Sequence, residues 1–287
     1  MSIQNIVVGV DGSPESDAAL RWAAREAQQR KADLTVLHAH ERGLYEIRTP
    51  LEETHQRDLQ SIVQAIVDSA LTEARALAPN VEVRGERTDS GAADGLIQAS
   101  AGGAMVVVGS RGRGGFTGLL LGSVSQHVAT HATGPVVVVR DNADHADGPV
   151  VVGVEEGEGS DVALTMAFDE AALHGARLIA LHAYLLGVRT WGLDLPPDVE
   201  DEPPREAAES ARLTASVARW REKYPTVQVD LAVVEGQAAG RLVDASAEAR
   251  LVVVGSRGRG GFTGLLLGSV GLHLLHHAEC PVLIARG

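Results

Sequence analysis

Short, mostly apolar runs alternate along the chain with longer stretches in which apolar residues return every three or four positions. In the first half the runs fall at residues 6–10, 34–39, 81–84, 105–108 and 136–140. They read as strands, and the stretches between them as helices. Ser13 followed by Pro14 supplies a cap and a proline at the first helical position, after which Leu20, Ala23, Ala24 and Ala27 recur at helical spacing. Beyond a polar loop over 48–53, Leu59, Ile62, Val63, Ile66, Ala70, Ala74 and Leu77 form the stripe of a long helix. Shorter helices are expected over 92–101 and 123–132. The second half repeats this order with strands at 150–154, 178–182, 227–231, 251–254 and 282–285. Its segment 185–204 is rich in proline and acid and is expected to be an irregular, mobile loop. Strands that are apolar without a period of two, alternating with helices, predict an α/β fold with parallel sheets covered on both faces. Ligands in such sheets sit beyond the carboxyl ends of the strands, where the winding direction reverses.

The sequence GSRGRGGFTGLLLGSV occurs twice without a change, at 109–124 and 255–270. Folding alone does not demand such identity, because cores accept apolar swaps of similar volume and surface loops accept more. The two copies are therefore assigned to binding. Elsewhere, residues 6–40 aligned with 150–184 give sixteen identities in thirty-five. The chain is a duplication: a first domain over 1–143, a polar, glycine-ended linker over 141–148, and a second domain over 149–287. Each half is long enough to bury its own core.

With a formal charge of −13, the chain lacks the dense positive footprint that a nucleic-acid partner requires. No apolar run approaches the roughly 20 residues needed to span a bilayer, and the first residues carry no leader pattern. A cytoplasmic chain with neither a membrane nor a nucleic-acid partner is expected. Cys280, the one cysteine, precludes an intramolecular disulfide and reads as a core residue before Pro281.

Each repeated block follows an apolar run and opens a helix, in the pattern G-x2-G-x9-G-S: Gly109, Gly112, Gly122 and Ser123, then Gly255, Gly258, Gly268 and Ser269. Glycines let backbone N–H groups approach an anion, and a helix N-terminus favours negative charge. Ser123 and Ser269 are expected to cap their helices and to offer a hydroxyl to phosphate. Together with VVGVDGS-x2-SD-x-AL at 7–20 and GPVVVV at 134–139, this pattern resembles the universal stress protein family, in its tandem ATP-binding form. The resemblance spans the whole chain. It implies two flavodoxin- or Rossmann-like domains, each a five-stranded parallel sheet with helices on both faces, whose fifth strands, 136–140 and 282–285, meet. It further implies that Asp11 contacts adenosine and that the backbone at Ala39 recognises adenine. Gly109, Gly112, Gly122 and Ser123 would hold ribose and phosphates, with Gly9, Arg111 and Val124 completing the site. The second site would comprise Gly153, Glu155, Ala183, Gly255, Arg257, Gly258, Gly268, Ser269 and Val270. The implied ligand is ATP, with or without Mg2+. The implied function is a nucleotide-dependent regulator of stress response or dormancy that acts by conformational change on an unidentified protein partner, without being an enzyme. A slow ATPase or phosphotransferase is the alternative, and a homodimer of the tandem chain is left open.

The halves differ where Asp11-Gly12-Ser13-Pro14 is replaced by Glu155-Glu156-Gly157-Glu158, so the second site is expected to be weaker. The RGRGG segment resembles an RNA-binding RGG motif, but in an acidic chain Arg111, Arg113, Arg257 and Arg259 are expected to screen a triphosphate or face solvent. The block is no Walker loop, having no lysine. His127 with His131, and His273 with His277, lie one helical turn apart, but without an accompanying glutamate motif they read as solvent-facing or inter-element histidines rather than as zinc ligands. His38 and His182 read as strand histidines satisfied by hydrogen bonds, and Trp22, Trp191 and Trp220 as packing or surface residues.

Overall fold

The computed structural model describes residues 3–39, 53–113, 120–140, 145–155, 158–185, 205–256 and 267–286. The first half comprises β1 (Asn5–Gly9), α1 (Pro14–Arg30), β2 (Asp33–Ala39), α2 (Glu53–Leu77), β3 (Val83–Thr88), α3 (Ala92–Ala99), β4 (Met105–Gly109), α4 (Ser123–His131) and β5 (Val136–Val139). The second comprises β6 (Val150–Gly153), α5 (Glu158–His174), β7 (Leu178–Tyr184), α6 (Arg205–Lys223), β8 (Val229–Glu235), α7 (Ala238–Ser246), β9 (Leu251–Gly255), α8 (Ser269–His277) and β10 (Val282–Ala285). The strand order is β3-β2-β1-β4-β5-β10-β9-β6-β7-β8. Each half is thus a five-stranded parallel sheet, and the two merge into one sheet of ten strands. The seam is the antiparallel pair β5 and β10, with Val136 opposite Ile284, Val137 opposite Leu283 and Val138 opposite Val282.

Local chemistry sets the elements. Ser13 is the cap of α1, its side chain accepting from the Ser16 N–H, with Pro14 next. The helix closes at Lys31, whose left-handed backbone (φ 57°) lets its N–H reach the Ala27 carbonyl. Strands β4, β5 and β10 are buried throughout, which explains their unbroken apolar runs. The helix pairs beneath the two sheets differ in volume. Ala24, Ala74 and Ala78 line the first, whereas Phe168, Trp220 and Tyr224 take the corresponding places in the second. Trp220 also donates its Nε1–H to Thr165 Oγ1 at 3.1 Å. Trp22 packs partly buried on the core, and Trp191 lies outside the described residues.

Two strand positions need correction. β3 begins at Val83 rather than Val81 and runs on through Arg84, Glu86 and Arg87, and β8 runs to Glu235 rather than ending at Leu231. Both are the outermost strands of the sheet, where charged residues guard the edge. An apolar run marks only part of such a strand.

Two arginines fasten the seam reciprocally. Arg140, just after β5, donates to the Leu275 and His276 carbonyls at the end of α8, at 2.7 and 2.6 Å. Arg286, just after β10, bonds to the Ala129 and Thr130 carbonyls at the end of α4. Cations there complement the negative ends of the helix dipoles.

Candidate functional site

Strands β1 and β4 are parallel neighbours, so the loops after Gly9 and Gly109 leave from the same edge of the sheet. Asp11 ties them together. Its Oδ1 accepts the Ser13 N–H at 2.9 Å and its Oδ2 accepts the Arg113 N–H at 2.8 Å, so one carboxylate grips both turns. Burial alone would raise the Asp11 carboxyl, but the hydrogen bonds from Ser13, Arg113 and Ser16 outweigh it and hold it below the usual carboxylate range. The group is an anionic acceptor at neutral pH.

The glycines of the block are required for distinct reasons. A Cβ on Gly109 would lie 2.6 Å from the backbone of Glu15, because the first turn of α1 rests directly on it. A Cβ on Gly112 would lie 2.4 Å from Asp11 Oδ2. The Gly122 N–H donates to the Ser110 carbonyl at 2.8 Å, pinching the loop at its neck, and Gly268 and Ser256 repeat that bond at 2.8 Å. The glycines therefore serve close approach within the protein itself.

The caps also differ from expectation. Gly122 and Gly268 occupy the N-cap positions of α4 and α8. Ser123 and Ser269 are the first helical residues, exposed and too far along to cap. The backbone at both caps is extended (φ −78° and −72°), which any residue can adopt, and glycine brings no side-chain oxygen to cap either helix. The N–H groups of Ser123, Val124 and Ser125 have no acceptor within their helix, so they offer donors at its positive end.

Arg111 is exposed but does not simply face solvent: its Nη2 lies 2.8 Å from Glu15 Oε1 on the first turn of α1. Glu15 escaped the sequence reading because its spacing from Arg111 carries no local signal. Ser125, buried, donates to the Gly109 carbonyl at 2.6 Å, a bond its counterpart Gly271 cannot make. Ala39 ends β2, beside His38, whose Nδ1 bonds to the Val10 carbonyl at 2.7 Å.

In the second half Gly153, Ala183, Gly255, Gly268, Ser269 and Val270 take the same places on β6, β7, β9 and α8. Arg257, Gly258 and Glu156 lie outside the described residues. Glu155 is exposed, and its N–H donates to Ser160 Oγ at 2.9 Å, as Asp11 N–H does to Ser16 Oγ at 3.4 Å. The neighbouring wall differs more. Arg75 and Arg221 donate to equivalent carbonyls, Val83 and Val229, which aligns α2 with α6 and sets Glu209 and Arg212 opposite Val63 and Ile66. In the first half Ile66 packs against Gly12, whose φ of +75° favours glycine. In the second, the buried Glu209 carboxylate meets Arg212 at 3.3 Å and His182 Nε2 at 3.4 Å. His182 Nδ1 bonds to the Val154 carbonyl at 2.9 Å, matching His38. Comparing the two long helices position by position would have exposed this contrast.

The remaining candidates stand apart. The rings of His127 and His131 stack at 4.2 Å between centroids, and those of His273 and His277 lie 4.4 Å apart, all four on exposed surface. Burial pushes the Cys280 thiol up to about 12, so it stays protonated in the core.

Residues 2–140 and 148–286 each match the universal stress protein family. The chain belongs to that family. A universal stress protein of Mycolicibacterium smegmatis is 41% identical over 294 residues, covering 98% of this chain and 96% of its own. Among solved structures, a universal stress protein from Archaeoglobus fulgidus superposes with a TM-score of 0.71 at 17% identity, covering 100% of this chain and 99% of that one, which bears on the fold. Another solved universal stress protein, 25% identical with a TM-score of 0.38 over 48% of this chain and 98% of its own, is described in complex with cAMP. Among the described residues of the present chain, no helix is long and apolar enough to cross a membrane.

Proposed function

We propose that this universal stress protein binds ATP in its first domain and acts as a nucleotide-dependent regulator rather than as an enzyme. The observation that carries this reading is the grip of Asp11 on the Arg113 amide, beside the N-terminus of α4. A carboxylate that accepts hydroxyl hydrogens and a helix end that donates to anions, set at one edge of the sheet, suit the two ends of a nucleotide. Arg111 supplies positive charge, at present shared with Glu15. Phosphates entering the loop would compete with Glu15 for Arg111, and the loop would take a second arrangement that a protein partner reads. A ligand shifts such an equilibrium only by its difference in affinity for the two states. The block contains no lysine to stabilise a transferring phosphoryl group, so turnover is slow or absent.

Native mass spectrometry of the purified chain, followed by phosphate release under single-turnover conditions, tests both halves of this reading. The expected result is retained or added ATP with slow release. No affinity for ATP would refute the binding site, and turnover near the typical enzyme value of about 10 per second would make the protein an ATPase.

A further inference from the structure

Helices α1 and α5 lie side by side across the seam, and each presents an acid and a base one turn apart at equivalent positions: Glu26 with Arg30, and Glu170 with His174. The four side chains close into a ring. Arg30 bonds to Glu26 at 2.5 Å and to Glu170 in the other half. His174 Nε2 lies 2.9 Å from Glu26 Oε2 and 3.6 Å from Glu170 Oε2. Each carboxylate thus bridges both bases, and each base bridges the two domains. The carboxylates are 3% and 2% exposed, so the ring is shielded from solvent and salt. Where the first half has a permanently charged arginine, the second has histidine, the one member whose ordinary pKa lies near neutrality.

We propose that His174 makes the docking of the two domains proton-linked, so that the seam closes with uptake of one proton and loosens as that proton is lost. Burial favours the neutral imidazole, but the hydrogen bonds that the imidazolium donates to the Glu170 and Glu26 carboxylates outweigh it and push His174 up to about 9. Arg250, ahead of β9, is the other charge facing the ring; it works against the imidazolium, and Asp147 faces Arg250 in turn. Burial would raise Glu26, but His174 and Arg30 hold it below its usual range. Glu170 is raised by burial and by Glu26.

The histidine is raised on docking, so its contribution is complete below its ordinary value of 6.5 and is lost as pH rises through about 9. Between those limits the docking equilibrium falls by up to about tenfold per pH unit. Glu170, also raised, acts in the same sense from its ordinary 4.5 upward. Glu26, lowered, acts oppositely, and only in acid below 4.5. The inference does not rest on nucleotide binding.

The test uses the full chain. Amide hydrogen exchange at β5 and β10, and urea unfolding, are measured from pH 6.5 to 9 for wild type, His174→Gln and His174→Arg, with exchange referred to intrinsic rates. Wild type is expected to lose protection steadily. His174→Gln should be weaker, with a shallower slope left by the raised Glu170 carboxyl, and His174→Arg should be flat with protection restored. A slope as steep as that of wild type in His174→Gln, or any slope in His174→Arg, overturns the proposal. The imidazole is also titrated by NMR in the wild-type chain, which needs no variant to fold. A His174 that titrates at or below 6.5 overturns the proposal equally.

Discussion

Gly112→Ala separates the two roles of the glycine-rich block. The new Cβ would stand 2.4 Å from Asp11 Oδ2, where ordinary contact begins at 3.4 Å, so the carboxylate must withdraw by about 1 Å. A carboxylate can do so by rotating, and the fold loses little because Gly112 is exposed. What is lost is the 2.8 Å bond from the Arg113 N–H, the link between the two turns. A hydrogen bond to a charged acceptor contributes about 1.5–3 kcal/mol. Asp11 is only half-buried, and solvent screening reduces this to about 1 kcal/mol of lost loop order, which binding must then supply, so ATP affinity falls by up to roughly fivefold. Gly109→Ala is the contrasting variant. Its Cβ would meet the Glu15 backbone at 2.6 Å, and a helix turn anchored by the Ser13 cap cannot rotate aside. Overpacking of that kind costs about 1–3 kcal/mol of stability. Calorimetric titration with ATP and urea denaturation distinguish the two. Unchanged ATP affinity in Gly112→Ala, or equal loss of stability in both variants, would refute the assignment of Asp11 as the clasp between the turns.

Two other outcomes are expected. Glu15→Gln should tighten ATP binding up to about fivefold by freeing Arg111 from an exposed ion pair, while leaving adenosine binding unchanged; weaker ATP binding would show that Glu15 positions the arginine instead. Calorimetry on Gly122→Glu and on Gly268→Glu, each of which spoils one loop neck, should find the first domain the tighter, and a tighter second domain would contradict the contrast between Asp11 and Glu155.

Much of this architecture was legible in the sequence because its central strands are buried on both faces, so Met105 to Gly109 and Val136 to Val139 announce themselves as unbroken apolar runs. The edge strands were misplaced for the converse reason: in β3 only Val83 is buried, and Arg84, Glu86 and Arg87 face solvent. At the candidate site the repeated block drew attention to its glycines but concealed what each one touches. Gly109 and Gly112 are fixed by contacts with Glu15 and Asp11, about a hundred residues away in the chain, and no local pattern encodes such a distance. The ionic ring was hidden differently. EAQQR at 26–30 and EAALH at 170–174 look like ordinary surface pairs one turn apart, and only the joining of the two sheets brings them into contact and buries them.

The antiparallel seam also decides which way the two candidate sites look. Within each half all strands run parallel, but β5 and β10 run against each other, so the carboxyl ends of β1 to β5 form one rim of the sheet and those of β6 to β10 the opposite rim. The two loop necks, at Gly122 and Gly268, therefore open at opposite ends of a single slab. A ligand at one mouth cannot touch a ligand at the other, and a rigid partner seated over one leaves the other open to solvent. Duplication with this handedness yields a two-ended molecule whose candidate sites face away from each other.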